Sequence, residues 1–264
     1  MALSFPLINP VAFSIGPVQI HWYACSYIAG IVLATAHAKF LLRRFQNGMD
    51  VDLVERFAYG VAILGVIIGG RLGHVLFYDP LYYLHHPSEI LMTWKGGMSF
   101  HGGLIGVLIS AWWFCRKYQK CFFQLMDITA VTVPIALGLG RIANFINAEL
   151  YGKPTDLPWA IVFPGGGLLS RHPTQLYESL TQGLFLWIIL TILWTKSHMR
   201  HCHGHISGYF LVIYALTRFF IEFLKDPIAQ SSQTTLPLTN GQLLCLPMIV
   251  FGLWLIMRKR EGIV

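Results

Sequence analysis

Seven long apolar stretches constrain this chain more than any other feature. Each approaches the roughly 20 residues that a helix needs to cross a bilayer. Only 12% of the residues are charged and 55% are hydrophobic, about half the charged fraction of a soluble domain. A soluble or disordered chain is therefore excluded. The sequence predicts an all-α polytopic membrane protein with transmembrane helices at 20–42, 53–78, 98–115, 122–146, 176–194, 208–224 and 243–257.

The basic residues outside these stretches predict the orientation. One set of alternating loops holds twelve of them: Lys39, Arg43, Arg44, Arg56, Arg116, Lys117, Lys120, Lys196, Arg200, Arg258, Lys259 and Arg260. The opposite set holds Lys95, Lys153, Arg171 and Lys225. The positive-inside rule then places the N-terminus outside and the C-terminus in the cytoplasm. Because no basic stripe carries interleaved aromatic residues, the net charge of +7 gives no reason to expect a nucleic acid partner.

The chain is expected to form a single transmembrane domain over residues 1–264. Its longest outward loop, 147–175, is rich in Gly and Pro. A loop of this length is usually structured or functional, so we expect a small cap on the outer, periplasmic side. The five cysteines are odd in number and contain no CxxC pair, which argues against a disulfide framework or a zinc ribbon.

Three arginines, Arg71, Arg141 and Arg218, fall near the outer ends of predicted spans. An arginine within a membrane segment costs about 2.5–3.5 kcal/mol on insertion scales. For each one alone, snorkelling to the interface is an equally good explanation. Three arginines on one side with carboxylates nearby favour a functional site instead.

Span six carries the strongest pattern of polar residues. Tyr214, Arg218 and Glu222 follow each other at i, i+4 and i+8, so they share one helix face. That face must point into the bundle or a water-filled cavity. A structural Arg–Glu pair between helices remains the alternative for Glu222; the functional interpretation is an anion site in which Glu222 orients Arg218.

A second group lies at the outer end of span four. Arg141, Asn144 and Asn147 are spaced by three, and Glu149 follows. Arginine offers a two-pronged donor suited to phosphate, and asparagine both donates and accepts. Each asparagine alone is better explained by helix capping or by bonds between helices. The cluster as a whole favours a binding site.

Histidines provide further candidates. His101 stands among four glycines in GGMSFHGGLIG, where it could accept a proton from a thiol or alcohol; taken alone, a hydrogen-bonded interior histidine is more common. His21 and Tyr23, at the start of span one, fit an aromatic belt by default but can also reach a site. The tract HCHGH at 201–205 is interpreted as a solvated cytoplasmic loop first and as a metal site second.

These groups suit an anionic phosphate at the depth of lipid headgroups. Two classes of function remain, an enzyme acting on an anionic phospholipid and a transporter or flippase for an anionic or phosphorylated solute or lipid. A transporter commonly has two pseudo-symmetric halves and a midplane site. Seven spans do not divide evenly and the arginines lie off-centre, so the enzyme is favoured.

At these motifs the sequence closely resembles the bacterial prolipoprotein diacylglyceryl transferase family. The similar blocks are HWY at 21–23, GGRLGHVLFYD at 69–79, GGMSFHGGLIG at 96–106, GRIANFINAELYGKPTDLPW at 140–159, RHPTQLYE at 171–178 and YALTRFFIEF at 214–223. The chain departs from the family pattern at Ala24 and Ala143, where glycine is usual, and at His74, where tyrosine is frequent. These changes leave every polar position occupied.

The resemblance implies a reaction in the bacterial cytoplasmic (inner) membrane. The diacylglyceryl group of phosphatidylglycerol would move to the lipobox cysteine thiol of a prolipoprotein signal peptide, releasing glycerol phosphate without metal or cofactor. In this hypothesis His101 assists thiol deprotonation, while Arg141 and Arg218 hold the phosphate. His21, Tyr23, Asn144, Glu149, Tyr214 and Glu222 bind or orient the lipid head or the arginines, and Gly152 permits its close approach. Whether His101 or a field centred on the arginines activates the thiol stays open.

Overall fold

Helices make up most of the protein. A computed structural model describes residues 3–45, 47–196, 198–226 and 238–258. These residues contain α1 (Trp22–Arg44), α2 (Val51–Phe77), α3 (Pro80–His85), α4 (Phe100–Lys117), α5 (Phe122–Ile146), α6 (Thr174–Lys196), α7 (His205–Glu222) and α8 (Asn240–Met257). Helices α2 and α6 include π-helical stretches at Phe57–Ala62 and Ser179–Phe185. Short 3₁₀ helices lie at Pro87–Leu91, Thr93–Lys95 and His198–His201.

A helix occurs at each of the seven predicted positions, with ends within three residues of those expected. Five of them, α1, α2, α5, α6 and α8, are long and apolar enough to cross a membrane. The other two, α4 and α7, have 18 residues each and are more polar, since α4 begins with His101 among glycines and α7 carries Arg218 and Glu222. The predicted basic residues Lys259 and Arg260 lie outside the described residues.

Four short strands were not predicted. They are β1 (Leu3–Ser4), β2 (Val11–Ile15), β3 (Val18–His21) and β4 (Ile161–Val162). Strands β2 and β3 form an antiparallel hairpin, so His21 belongs to a strand and the first helix begins at Trp22, two residues later than expected. Strand β1 pairs with β4 in parallel. The prediction of an all-α chain is therefore right for the bulk of the fold and incomplete at its edges.

The chain divides into two compact units. The first comprises Met1–His37 and Asp127–Val264, and the second comprises Ala38–Met126. Within the second unit, Gly65, Gly69 and Gly73 of α2 face the glycines at the start of α4. A Cβ at Gly69 would stand 2.8 Å from Gly106 Cα and closer still to the Gly102 carbonyl oxygen. The three glycines therefore serve close helix packing.

The loop 147–175 of the first unit is held by a buried cluster and by backbone hydrogen bonds. Phe5, Ile161 and Phe163 form a small buried cluster, which fixes the β1–β4 pair. Arg171 exchanges backbone hydrogen bonds with Ile161 at 3.0 and 2.9 Å. The loop is also joined to the segment after α7, because the Lys153 N–H donates to the Leu224 carbonyl at 2.8 Å.

The glycine packing of α2 on α4 gives a stability prediction. We expect Gly69→Ala to destabilise the protein by about 1–3 kcal/mol, because its methyl group collides with backbone that cannot move aside. Gly60→Ala is the matched control, since a Cβ there meets nothing within 4 Å. Thermal unfolding in detergent micelles measures both. Equal midpoints for the two variants would contradict the packing assignment.

Candidate active site

A carboxylate buried in α6 organises the polar cluster of the first unit. The side chain of Glu178 has 0% exposure and contacts three cations. Its Oε1 lies 2.5 Å from Arg218 Nη1 and 2.7 Å from Lys225 Nζ, and its Oε2 lies 3.3 Å from Arg141 Nε. Glu178 thus gathers one residue from α5, one from α7 and one from the segment after α7.

Glu222 supplies a second buried carboxylate at the C-terminal end of α7. Its Oε2 lies 3.2 Å from Arg218 Nη2, one helical turn earlier, so the predicted shared face is confirmed for this pair. Its Oε1 accepts a hydrogen bond from Thr239 Oγ1 at 3.1 Å, next to the start of α8. A Cβ at Gly241 would stand 2.8 Å from the same oxygen. Glu222 is therefore held by both helices.

The charges of this cluster depend on one another. Removing one partner of a buried ion pair is strongly destabilising, because the remaining charge stays desolvated. Here Arg141, Arg218 and Lys225 face two buried carboxylates, Glu178 and Glu222. One positive charge remains among these buried and half-buried groups, which favours an anionic ligand.

Asn144 connects the cluster to its exposed rim. Arg141 Nη1 donates to Asn144 Oδ1 at 3.4 Å, and Asn144 Nδ2 donates to Glu149 Oε1 at 2.7 Å. Asn147 Nδ2 reaches the same carboxylate at 3.4 Å, and Gln175 Nε2 donates to the Glu149 backbone carbonyl at 2.5 Å. Asn144 is buried and Glu149 is exposed. The asparagines thus extend a polar chain outward from Arg141.

Both arginines keep donors available for an anion. In the part of the chain that the structure describes, Arg141 Nη2 and Arg218 Nε have no hydrogen-bond partner. The two side chains remain 22% and 20% exposed. Guanidinium groups fixed by buried carboxylates form a preorganised site for a phosphate or another oxyanion.

Of the aromatic residues predicted for the site, Tyr23 and Tyr214 are connected to these arginines and His21 is not. Tyr23 accepts a hydrogen bond from the Tyr27 hydroxyl at 3.1 Å. That hydroxyl interacts electrostatically with Arg141. Tyr214, one turn before Arg218, interacts with it electrostatically. His21 has an exposed side chain and no polar contact with the cluster among the described residues. Tyr23 is thus linked to the site through Tyr27, and His21 is not.

Gly152 has a different role from the expected one. A Cβ there would stand 2.5 Å from the Leu224 carbonyl oxygen and 2.7 Å from His172 Cβ. The space beside it is filled by the protein itself, so Gly152 lets the cap loop pair with the segment around Lys225. The prediction that it permits close approach of a ligand is not supported, because protein atoms occupy that space.

Lys225 and Glu178 were not predicted as site residues. The sequence predicts Lys225 as an outer-loop charge, yet its side chain is only 4% exposed. Burial lowers the pKa of its ammonium group to about 8, while the neighbouring Glu178 carboxylate acts in the opposite direction. The signal that could have revealed Glu178 is its position inside the apolar boundary of a span, where an ionised group requires partners.

His101 belongs to the second unit. It is exposed in the first turn of α4, where Ser99 caps the helix by accepting a hydrogen bond from the Gly102 N–H at 3.2 Å. Among the described residues no hydrogen bond holds its ring, which lies edge-on to Phe100 at 5.7 Å. Within the described residues the imidazole is therefore exposed and makes no hydrogen bond.

Arg71, the third of the arginines near the ends of predicted spans, has a structural role. Its guanidinium donates to the backbone carbonyls of Glu89, Ile90, Gly96 and Gly97 at 2.5–3.1 Å. It also lies 5.1 Å from the centre of the Tyr83 ring. Arg71 fixes the turn that precedes α4 and is not available to a ligand.

Histidine and cysteine residues do not gather into a metal site in the described segments, where no group of three metal-binding side chains occurs. All five cysteines are free thiols. In the 201–205 tract, Cys202 Sγ contacts the His198 carbonyl at 3.7 Å.

The central position of Glu178 gives a second prediction. We expect Glu178→Gln to destabilise the protein by about 3–5 kcal/mol, because it leaves the surrounding cations uncompensated in a buried site. Glu55→Gln is the control, since Glu55 forms a partly exposed pair with Lys39, and ion pairs that water reaches contribute about 0–1 kcal/mol. Thermal unfolding in detergent compares the two. A Glu178→Gln protein as stable as Glu55→Gln would show that the cluster does not need this charge.

The whole sequence was compared with protein families and with known proteins. The sequence model of the prolipoprotein diacylglyceryl transferase family matches residues 10–258. The phosphatidylglycerol–prolipoprotein diacylglyceryl transferase of Pseudomonas fluorescens is 49% identical over 258 residues, covering 96% of this chain and 94% of the relative. The enzymes of that name from Paramagnetospirillum magneticum and Pseudomonas paraeruginosa are 48% and 47% identical over 256 and 252 residues. These alignments cover 97% and 95% of this chain, and 95% and 93% of the relatives.

These matches confirm the resemblance found in the motifs. Since they include every block that carries Arg141, Glu178, Arg218 and His101, the chain belongs to the prolipoprotein diacylglyceryl transferase family.

Proposed function

We propose that this protein transfers the diacylglyceryl group of phosphatidylglycerol to the lipobox cysteine thiol of prolipoproteins. The sulfur attacks the glyceryl carbon that bears the phosphate, the carbon–oxygen bond breaks, and glycerol phosphate leaves. The thiol proton passes to a base. The observation that carries the proposal is the pair of partly exposed arginines fixed by the buried Glu178, in a chain whose relatives bear the name of this activity.

Arg141 and Arg218 hold the phosphate and stabilise the charge that develops on the leaving group. Fixed donors are effective here, because they require no reorganisation as the bond breaks. Glu178 and Glu222 orient Arg218, and Glu178 also orients Arg141. Asn144 and Glu149 position Arg141 and the headgroup from the rim. Tyr23 and Tyr214 lie near Arg141 and Arg218 and bind the same headgroup. His21 binds the lipid headgroup without contacting the arginines.

His101 is the proposed base for the thiol. The thiolate is the nucleophile, and a free cysteine has a pKa of about 8.5, so a base increases the reactive fraction near neutral pH. The exposed ring of His101 at the start of α4 is accessible to a peptide. Thiol activation by a field centred on the arginines is the alternative within the same reaction.

The protein is proposed to be a single catalytic domain that crosses the bacterial inner membrane seven times. Helices α4 and α7 are the third and sixth spans, the N-terminus lies outside and the C-terminus in the cytoplasm. The twelve basic residues of one set of loops support this orientation. The loop 147–175 then forms the periplasmic cap, and both lipid and signal peptide enter laterally from the bilayer.

A transporter or flippase for an anionic solute or lipid is the alternative, and the names of the relatives favour the transferase. The purified protein, phosphatidylglycerol and a lipobox peptide would be mixed and the release of glycerol phosphate measured. We expect release that depends on the peptide thiol. Its absence with a competent peptide, or solute movement across liposomes without lipid turnover, would favour transport.

Recognition by a two-pronged donor gives a third prediction. We expect Arg218→Lys to lower kcat by about 10²–10³-fold, because an ammonium cannot bond Glu178 and phosphate with the same planar geometry. Arg43→Lys, a change on the exposed end of α1, should leave turnover unchanged. Initial rates of glycerol phosphate release compare them. An active Arg218→Lys enzyme would show that two-pronged recognition is not required.

The proposed base gives a fourth prediction. We expect His101→Gln to lower kcat by about 10²–10⁴-fold near neutral pH. The deficit should shrink as the pH rises toward the thiol pKa of about 8.5, because the peptide then ionises without help. His198→Gln is the control, because His198 is the exposed first residue of the 3₁₀ helix His198–His201. Full turnover of His101→Gln at neutral pH would assign thiol activation to the arginines instead.

A further inference from the structure

The tip of the cap loop exposes apolar side chains to its surroundings. Leu168 is 96% exposed and Leu169 is 59% exposed. They lie in the segment 157–170, which contains no charged residue and is bounded by Asp156 and Arg171. Exposed apolar surface of this kind commonly marks a contact with lipid or with another protein.

The protein holds these leucines outward with an ordered turn. Gly165 and Gly167 both have φ of +79°, a backbone conformation that glycine adopts without strain. Tyr151 donates its hydroxyl to the Gly165 carbonyl at 3.2 Å, and Arg171 Nε donates to the Gly166 carbonyl at 3.0 Å. Because the base of the turn is fixed in this way, the leucines stay exposed.

The cap loop connects two apolar helices, and this position indicates what its exposed tip contacts. The loop begins where α5 ends at Ile146 and finishes where α6 begins at Thr174. Both helices are long and apolar enough to cross a membrane, so both ends of the loop emerge at one membrane surface. Trp159, which is half exposed, donates its indole N–H to the Tyr177 hydroxyl at 2.7 Å at the start of α6. Tryptophan and tyrosine are enriched at such interfaces.

We propose that the turn formed by residues 164–169 inserts Leu168 and Leu169 into the lipid leaflet around the outer ends of α5 and α6. Burial in lipid removes both side chains from water, and the uncharged segment 157–170 adds no charge that would have to be desolvated. The occupant of this surface is therefore the membrane itself.

Arg171 links this anchor to the polar cluster. While its Nε holds Gly166, its Nη1 lies 2.5 Å from Asp226 Oδ2, in the residue after Lys225. The same Nη1 donates to the Gly152 carbonyl at 3.3 Å. Holding the tip in lipid therefore also restrains the neighbouring segment, in which Lys225 contacts Glu178.

Photocrosslinking tests the insertion without requiring catalysis. The full chain would carry p-benzoylphenylalanine in place of Leu168, be reconstituted in phosphatidylcholine–phosphatidylglycerol liposomes with a labelled phospholipid, and be irradiated with and without a lipobox peptide. The exposed Asp156, just before the uncharged segment, is the matched control position. Both sites are exposed, so the replacement is not expected to disturb folding.

We expect several-fold more lipid adduct at position 168 than at position 156, and the same yield without peptide. A peptide adduct at 168 that displaces the lipid adduct would overturn the proposal in favour of a docking surface for the peptide. Equal, low lipid yields at the two positions would also overturn it, because the tip would then lie in water. Neither outcome depends on the transferase reaction, which glycerol phosphate release measures separately.

Discussion

A carboxylate buried inside a membrane protein must be neutralised where it stands, and Glu178 is neutralised by Arg141, Arg218 and Lys225. Because the Glu178 carboxylate has no exposure, water screens its contacts poorly, and the three cations are held close to it. These contacts join α5, α6, α7 and the segment after α7 within the first unit. They also leave the two guanidinium groups oriented and partly exposed, so the groups that neutralise a buried charge can also bind a phosphate.

The second unit also contains a buried arginine, but its helices are held together by contacts between glycines. Its helices α2 and α4 approach so closely that glycine is needed at their contact. The guanidinium of Arg71 donates to several backbone carbonyls, so its charge is compensated by hydrogen bonds. These bonds fix the turn that precedes His101. Three arginines that look alike in the sequence therefore differ in role. Within the described segments, two are held by acids and keep donors without a partner, and one donates to four carbonyl oxygens.

The positions of the helices could be predicted, and so could the need of Arg141 and Arg218 for partners, because both follow from local rules. An apolar run of bilayer length forms a helix, and a charge within such a run needs a reason. The shared face of Arg218 and Glu222 follows from helical spacing. Strands β1 and β4 were missed because each is two residues long and they pair across more than 150 residues of chain. Glu178 and Lys225 were missed as site residues because their partners come from other segments, and the purpose of Gly152 depends on Leu224 and His172.

The sequence by itself therefore determined that the chain is a helical membrane protein, where its apolar helices lie, which family it belongs to, and which scarce charges require an explanation. These properties depend on composition, helical periodicity and motifs within single segments. Only the tertiary structure decided which carboxylate holds which cation, and that Arg71 fixes a turn while Gly152 makes room for the chain itself. Those outcomes depend on contacts between residues distant in sequence, where burial sets the energy of every charge.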